Sequence, residues 1–177
     1  MIDTEFIKVP MERIKVFKED DSKIIKTVEE KCNVKIEIDT DGEVSMSGDP
    51  TDLFFAKDVV KAIARGFSPN EALKLTIQDY NFTLINLKEE FSSENAITRL
   101  KGRVIGEKGK VKSEIEASTE CNLSIYGSTI GIIGKIDTIS YATEAVNMIL
   151  DGAPISTVTN YLAKAKREIL ESRLKSK

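Results

Sequence analysis

Between Arg99 and Lys112 the chain sets six basic residues (Arg99, Lys101, Arg103, Lys108, Lys110 and Lys112) against one acid, Glu107, and threads Gly106 and Gly109 among them. Two glycines bounding two polar residues let a backbone approach a phosphodiester with no Cβ in the way. A helix is expected from about Lys110, so its unpaired N–H groups and positive dipole end face whatever fills the loop. The guest this pattern fits is an anionic backbone. Arg103, Lys108 and Lys110 are expected to neutralise phosphates, and three such contacts on a single strand predict a log–log salt slope of about −2. Gly102 opens the same segment. Val104 and Ile105 would give the groove an apolar floor or belong to the core, and the two roles are compatible. Glu107 is counted with the RNA-binding segment, although an acid is odd in a phosphate loop and its side chain is expected to point to solvent. Across the groove, Leu123, Ser124 and Ile125 sit on a strand whose edge would offer backbone groups to base edges. A clamp on a few unpaired nucleotides is the chemistry that results.

Other chemistries fit poorly. A phosphate-binding P-loop would need glycine where Glu107 stands, and no glycine precedes Gly106 by two residues, so the dinucleotide pattern is missing. The 177 residues contain no histidine, which removes the commonest general base and metal ligand. No nucleophile is paired with a base, so a non-enzyme without cofactor is expected. Two cysteines, Cys32 and Cys121, form neither a disulfide framework nor a metal motif and fit a reducing interior. The first residues lack the basic-then-apolar build of a signal peptide, and no apolar run approaches the roughly 18–20 residues that span a bilayer. A cytoplasmic protein without a membrane partner is the expectation. The net charge of −3 would disfavour nucleic acid if it were evenly spread. It is not: residues 1–80 carry 12 Lys/Arg against 17 Asp/Glu, and residues 81–177 carry 14 against 12. Screening over about 8–10 Å makes the local cluster count for more than the total.

The elements that must position the loop come in duplicate. Shifted by about 87 residues, Ile24 falls on Val111, Val28 on Ile115, Ile36 on Leu123 and Ile38 on Ile125. After a one-residue slip, Gly48 meets Gly134, Leu53 Ile139, Phe55 Tyr141, Ala56 Ala142, Val60 Val146, Ile63 Ile149 and Gly66 Gly152. Each copy reads as a first strand (Phe6–Val9; Phe82–Leu87), a helical stretch interrupted near 18–22 or 106–109, and two alternating strands joined by a glycine turn. A long helix then closes the copy at Gly66 or Gly152. Phe55, Val59 and Ile63 in the first copy, and Tyr141, Ala145, Val146 and Ile149 in the second, are expected to face inward. The order β-α-α-β-β-α, with helices on one face of a three-stranded sheet, makes an α+β fold of two units, 1–80 and 81–177. A short helix links them at Pro69–Leu75. A C-terminal helix, Pro154–Leu174, turns Val158, Leu162, Ala165 and Ile169 inward. Its basic end is read either as a solvated face or as a second nucleic-acid contact.

The first copy departs where the chemistry lies. Glu19, Asp20, Asp21 and Ser22 replace Gly106, Glu107, Lys108 and Gly109, putting three carboxylates where phosphates would lie. This copy is not expected to hold RNA in its loop. The acids read as a solvated helix start or as a protein-docking surface, and their adjacency disfavours a metal site.

The segment GRVIGEKGKVKSEIE followed by LSIYG resembles the signature of a type I KH domain, a module for RNA and single-stranded DNA. With SIYGSTIGIIG, ATEAVNMILDGAPISTV and AIARGFSPNEAL, the chain is similar from about Phe6 to Leu170 to the two-KH small-subunit assembly factors of the Krr/Pno type. The resemblance implies two tandem KH-like domains, the first lacking its glycines. It implies binding to the 3′-end region of small-subunit rRNA during ribosome maturation, with a Nob-type endonuclease and the α subunit of translation initiation factor two as partners. A protein–protein adaptor with a vestigial loop is the competing reading.

Overall fold

The computed structural model describes all residues, 1–177. The chain divides into two compact units, Met1–Phe82 and Thr83–Lys177, with the division falling inside a strand. In the first unit, β1 (Asp3–Lys8), α1 (Met11–Cys32), β2 (Lys35–Ile38), β3 (Glu43–Gly48) and α2 (Pro50–Ala64) follow in order. After them come a single turn, α3 (Pro69–Ala72), and a 3-10 turn. In the second, β4 (Tyr80–Asn86) and a short α4 (Leu87–Glu90) precede α5 (Glu94–Ile105), α6 (Lys110–Thr119), β5 (Asn122–Tyr126), β6 (Thr129–Lys135), α7 (Ile139–Leu150) and α8 (Ile155–Lys175). The sheets have matching order, β1-β3-β2 and β4-β6-β5, so the last strand of each unit is central. β5 runs antiparallel to β6 with Leu123 opposite Ile132 and Ile125 opposite Ile130.

Burial follows the repeat. Val28 and Ile115, Ile36 and Leu123, Leu53 and Ile139, Ala56 and Ala142, Val60 and Val146, and Ile63 and Ile149 are buried pair by pair. In the second unit Ile97, Leu100 and Val104 of α5 meet Ile115 of α6, Leu123 of β5, Ile130 and Ile132 of β6 and the inner face of α7. Each closing helix ends alike: Gly66 and Gly152 have φ of 98° and 91°, and the next residue's N–H returns to a carbonyl of the last turn (Phe67 to Ala62, Ala153 to Met148).

One pair corrects the expected inward stripe. Phe55 is 47% exposed, and Tyr141 is only half-buried. Tyr141 lies beside α8 and donates its hydroxyl hydrogen bond to Glu168 at 2.9 Å. After α2 the first unit has only the one-turn α3 and a 3-10 turn, with no counterpart of α8, and Phe55 keeps its exposure. The four inward residues assigned to α8, Val158, Leu162, Ala165 and Ile169, are all buried. Thr159 meets Glu114 of α6 at 3.4 Å, and Arg173 forms a two-pronged ion pair with Glu120 at the end of α6.

Candidate nucleic-acid interface

The loop between α5 and α6 takes its shape from its two glycines, for different reasons. Gly106 has φ 74° and ψ 172°, a region only glycine occupies readily. A Cβ there would also lie 2.4 Å from Val111 Cγ2 and 2.8 Å from the Val111 nitrogen. Its N–H closes the last turn of α5 onto the Gly102 carbonyl at 2.9 Å. Lys108 and Gly109 then turn left-handed, with φ of 53° and 76°, and Gly109 N–H donates to the Gly106 carbonyl at 3.2 Å. Gly109 has open space where a Cβ would stand, so the backbone conformation alone favours glycine there. Gly102, inside α5, also has open space.

From Lys110 the chain is helical, and no side chain caps α6. The Lys110 N–H closes the preceding 3-10 turn onto the Glu107 carbonyl, so the N–H groups left for a guest at this helix start are the ones that follow it. Lys108 and Lys110 are exposed beside them, and so are Glu107 and Arg99, while Lys101 is half-buried. The loop thus combines a helix N-terminus without a side-chain cap, two solvent-facing ammonium groups and a backbone unobstructed at Gly109.

Several residues of the expected site have other tasks. Val104 is fully buried and belongs to the core with Ile97 and Leu100. Ile105, one position out of that stripe, is 36% exposed and is left to supply the apolar surface beside the loop. Arg103 turns its guanidinium to the main chain, donating to the Ile149 carbonyl at 2.7 Å and to the Ala153 carbonyl. Lys112 lies 3.9 Å from Glu116.

Leu123 has a buried side chain, and its N–H donates to Glu116 Oε1 at 2.9 Å. β5 is an edge strand, so in the antiparallel alternation Leu123 and Ile125 both turn their main-chain groups away from β6. Ser124, between them, is half-buried. The sequence reading passed over Glu116. Its twin, Glu29, accepts the Ile36 N–H at 2.8 Å, and the 87-residue shift places the two glutamates together.

The first unit keeps the second half of this loop's backbone form without its residues. Glu19 leaves the helix at ψ 152°, and Asp20, Asp21 and Ser22 have φ of 48°, 53° and 61°. Asp21 and Ser22 are left-handed where Lys108 and Gly109 are. The three carboxylates do not converge into a metal-holding group. The loop borders a hollow of about 260 Å³ between α1 and α3, walled by Val16, Ile24, Thr27 and Leu73.

The basic end of α8 lies apart from the loop. Thr159 is beside the middle of α6 and Arg173 beside its C-terminal end, while the loop is at its N-terminal end. Thr159 and Arg173 are fourteen residues apart on α8, about 21 Å along its axis. Arg173 is engaged by Glu120, and Lys164 lies 3.9 Å from Glu168.

A three-stranded sheet with β-α-α-β-β-α order and a Gly-x-x-Gly turn joining its first two long helices defines a KH module, the class that grips unpaired nucleic acid. A family model for the second KH domain of PNO1, described as a eukaryotic-type KH domain (KH-domain type I), matches residues 81–167. The KH domain-containing protein MJ0443 of Methanocaldococcus jannaschii is 40% identical over 174 residues, covering 96% of this chain and 77% of that protein. The pre-rRNA-processing protein PNO1 of Chaetomium thermophilum is 30% identical over 124 residues, covering 68% of this chain and 46% of that one. Among solved structures, the a/eIF2alpha–aDim2p–rRNA complex from Pyrococcus horikoshii contains a chain that superposes with TM-score 0.86 at 33% identity, covering 95% of this chain and 96% of that one. The chain belongs to the PNO1/Dim2-type family of KH-domain proteins. No helix is long and apolar enough to cross a membrane.

Proposed function

We propose that this protein is a ribosome-assembly factor whose second unit holds single-stranded RNA between the Gly106–Gly109 loop and the edge of β5. The observation that carries the reading is the contrast between the twin loops. Both turn left-handed at their last two positions, Asp21 and Ser22 or Lys108 and Gly109, but only the second has its glycines and its ammonium groups. Phosphates would lie against Lys108, Lys110 and the N-terminus of α6, with Ile105 beneath the bases and the outward groups of Ile125 at their edges. The rRNA in the Pyrococcus complex and the pre-rRNA-processing role in the name of the fungal relative support this guest. The 3′-end region of small-subunit rRNA is the expected target.

The first unit is a KH-like domain turned to protein contacts. Its element order and strand order repeat those of the second unit, while its loop is acidic and borders an open hollow. The α subunit of translation initiation factor two fits as a partner, since the Pyrococcus complex includes a/eIF2alpha. A Nob-type endonuclease is the other expected partner, and no catalysis is assigned to the chain itself.

The test is a titration of a short labelled single-stranded oligoribonucleotide against the wild type and a Lys108→Asp/Lys110→Asp variant. With Arg103 bonded to carbonyls, two phosphate contacts remain, and the wild-type log–log salt slope should be about −1.4. The variant should lose binding. Equal binding by both would leave the adaptor reading in its place.

A further inference from the structure

We infer that Arg103 is a positioning residue of the RNA site, bolting the last turn of α5 to the end of α7 so that the Gly106–Gly109 loop is held at a fixed height beside β5. The inference rests on the RNA reading of that loop and deepens it.

Three observations lead there. The first is where the guanidinium goes. Arg103 stands three residues before Gly106, and two of its nitrogens donate to the Ile149 and Ala153 carbonyls, four residues apart at the junction of α7 and α8. The Ile149 carbonyl lies in the last turn of α7, where the dipole favours a cation, and also accepts the Gly152 N–H at 3.1 Å, while the Ala153 carbonyl follows in the link to α8. A planar fork can span two such acceptors, which an ammonium on a flexible stem does poorly.

The second observation is the twin. In the first unit Arg13 donates through Nε to the Ile63 carbonyl at 2.8 Å and through Nη2 to the Phe67 carbonyl at 2.7 Å. Ile63 and Phe67 are the repeat partners of Ile149 and Ala153. Yet Arg13 aligns with Leu100, and Arg103 aligns with Val16, one helical turn further on. Two arginines at different positions of the repeat therefore reach the same pair of carbonyls. The first unit has no glycine loop to serve with a phosphate contact, so the clasp belongs to the fold rather than to the ligand.

The third is the spacing to the loop. Gly106 N–H is bonded to the Gly102 carbonyl, so the turn that holds Arg103 is the one from which the loop departs. In the second unit the arginine has moved one turn closer to the loop than in the first. A site held by such a brace loses affinity when the brace slackens, even though no ligand contact has been removed.

The experiment compares Arg103→Lys, Arg103→Gln and, as a matched control, Arg13→Lys, which removes the same clasp from the unit without glycines. Binding of a short single-stranded oligoribonucleotide is measured across salt concentrations at a temperature where circular dichroism shows each protein folded. The expected result is a loss of roughly threefold to tenfold in affinity for both Arg103 variants. Their salt slope should stay at the wild-type value, lysine should give no rescue, and Arg13→Lys should have no effect on binding. Rescue by lysine, or a slope that flattens by about 0.7 in the glutamine variant, would make Arg103 a phosphate contact and overturn the inference. Wild-type affinity in both Arg103 variants, or an equal loss in Arg13→Lys, would overturn it as well.

A measurement on the wild type covers the case in which the Arg103 variants do not fold. The Arg103 Nη–H resonances should be slow to exchange before and after RNA is added and should not move, while the Lys108 signals do. RNA-induced shifts at Arg103 would refute the brace. Failure of the wild type to bind any single-stranded RNA would refute the underlying reading instead.

Discussion

The carboxylate of Glu116, on the helix behind the glycine loop, accepts the main-chain N–H of Leu123 at 2.9 Å. An edge strand is thereby pinned to a helix by a side chain rather than by a ladder partner. Glu29 and Ile36 repeat the bond in the first unit. Replacing Glu116 with alanine leaves the Leu123 donor half-buried and unpaired, at a cost of about 1–2 kcal/mol. A denaturant titration of Glu116→Ala against the wild type measures it, and Glu116→Gln, which still accepts, should recover most of the loss.

The two glycines of the loop should answer differently to substitution. Gly106→Ala must leave a glycine-only conformation and displace Val111, so it should destabilise by at least about 2 kcal/mol and abolish RNA binding. Gly109→Asn keeps a left-handed turn that asparagine tolerates and meets no neighbour, so it should cost less than about 1 kcal/mol. Gly102→Ala, in a helix with open space around it, should stabilise by about 0.5–1 kcal/mol. Thermal melts of the three variants, ranked against each other, decide the matter.

Gly134 on β6 packs its bare face on Cys121. A methyl there would stand 2.4 Å from the Cys121 sulfur and 3.3 Å from its Cβ. Gly134→Ala should therefore destabilise by about 1–3 kcal/mol. Removing the sulfur with Cys121→Ala should make the double variant better than the sum of the singles. A double-mutant cycle reads the coupling, and strict additivity would contradict the packing described here.

The end of α8 should loosen in acid. The hydrogen bond from Arg173 holds the Glu120 carboxyl below its ordinary value of 4.5. A carboxylate depressed in the folded state stabilises fully above its unfolded pKa, and that contribution is lost as the pH falls through the folded value. Both side chains are partly exposed, so the pair contributes less than about 1 kcal/mol. Hydrogen exchange in the last two turns of α8 should speed up below pH 4.5 relative to the rest of the helix. Glu120→Gln should remove that pH dependence.

How much of this was legible in the sequence depended on whether a residue's role was set by its neighbours in the chain. The duplicated order of elements, breaks near 18–22 and 106–109 and the buried face of α8 follow from local periodicity, the repeat and the glycines of the second copy, and the structure has them, with the first break at 19–22. Val104 was separable from Ile105 by helical phase, since it alone continues the stripe of Ile97 and Leu100. Glu116 was also within reach, because the repeat aligns it with Glu29 and two aligned acids on apolar-striped helices ask for a shared task. Arg103 was not. Its acceptors are 46 and 50 residues away, and its twin occupies a different position of the repeat, so neither spacing nor alignment announces the bond. Phe55 was misplaced for a related reason: its periodicity matches that of Tyr141, but the helix that leans on Tyr141 exists in one unit only.

With the Leu123 amide committed to Glu116, the open margin of β5 keeps one outward main-chain donor, at Ile125. That amide and the outward carbonyls of Leu123 and Ile125 can query one or two nucleobases, which is too little information to pick an address out of a long transcript. On the proposed reading, the choice of target would then pass to whatever brings the protein to its place: a companion docked on the acidic half would act as the postcode, and the glycine turn would close the latch.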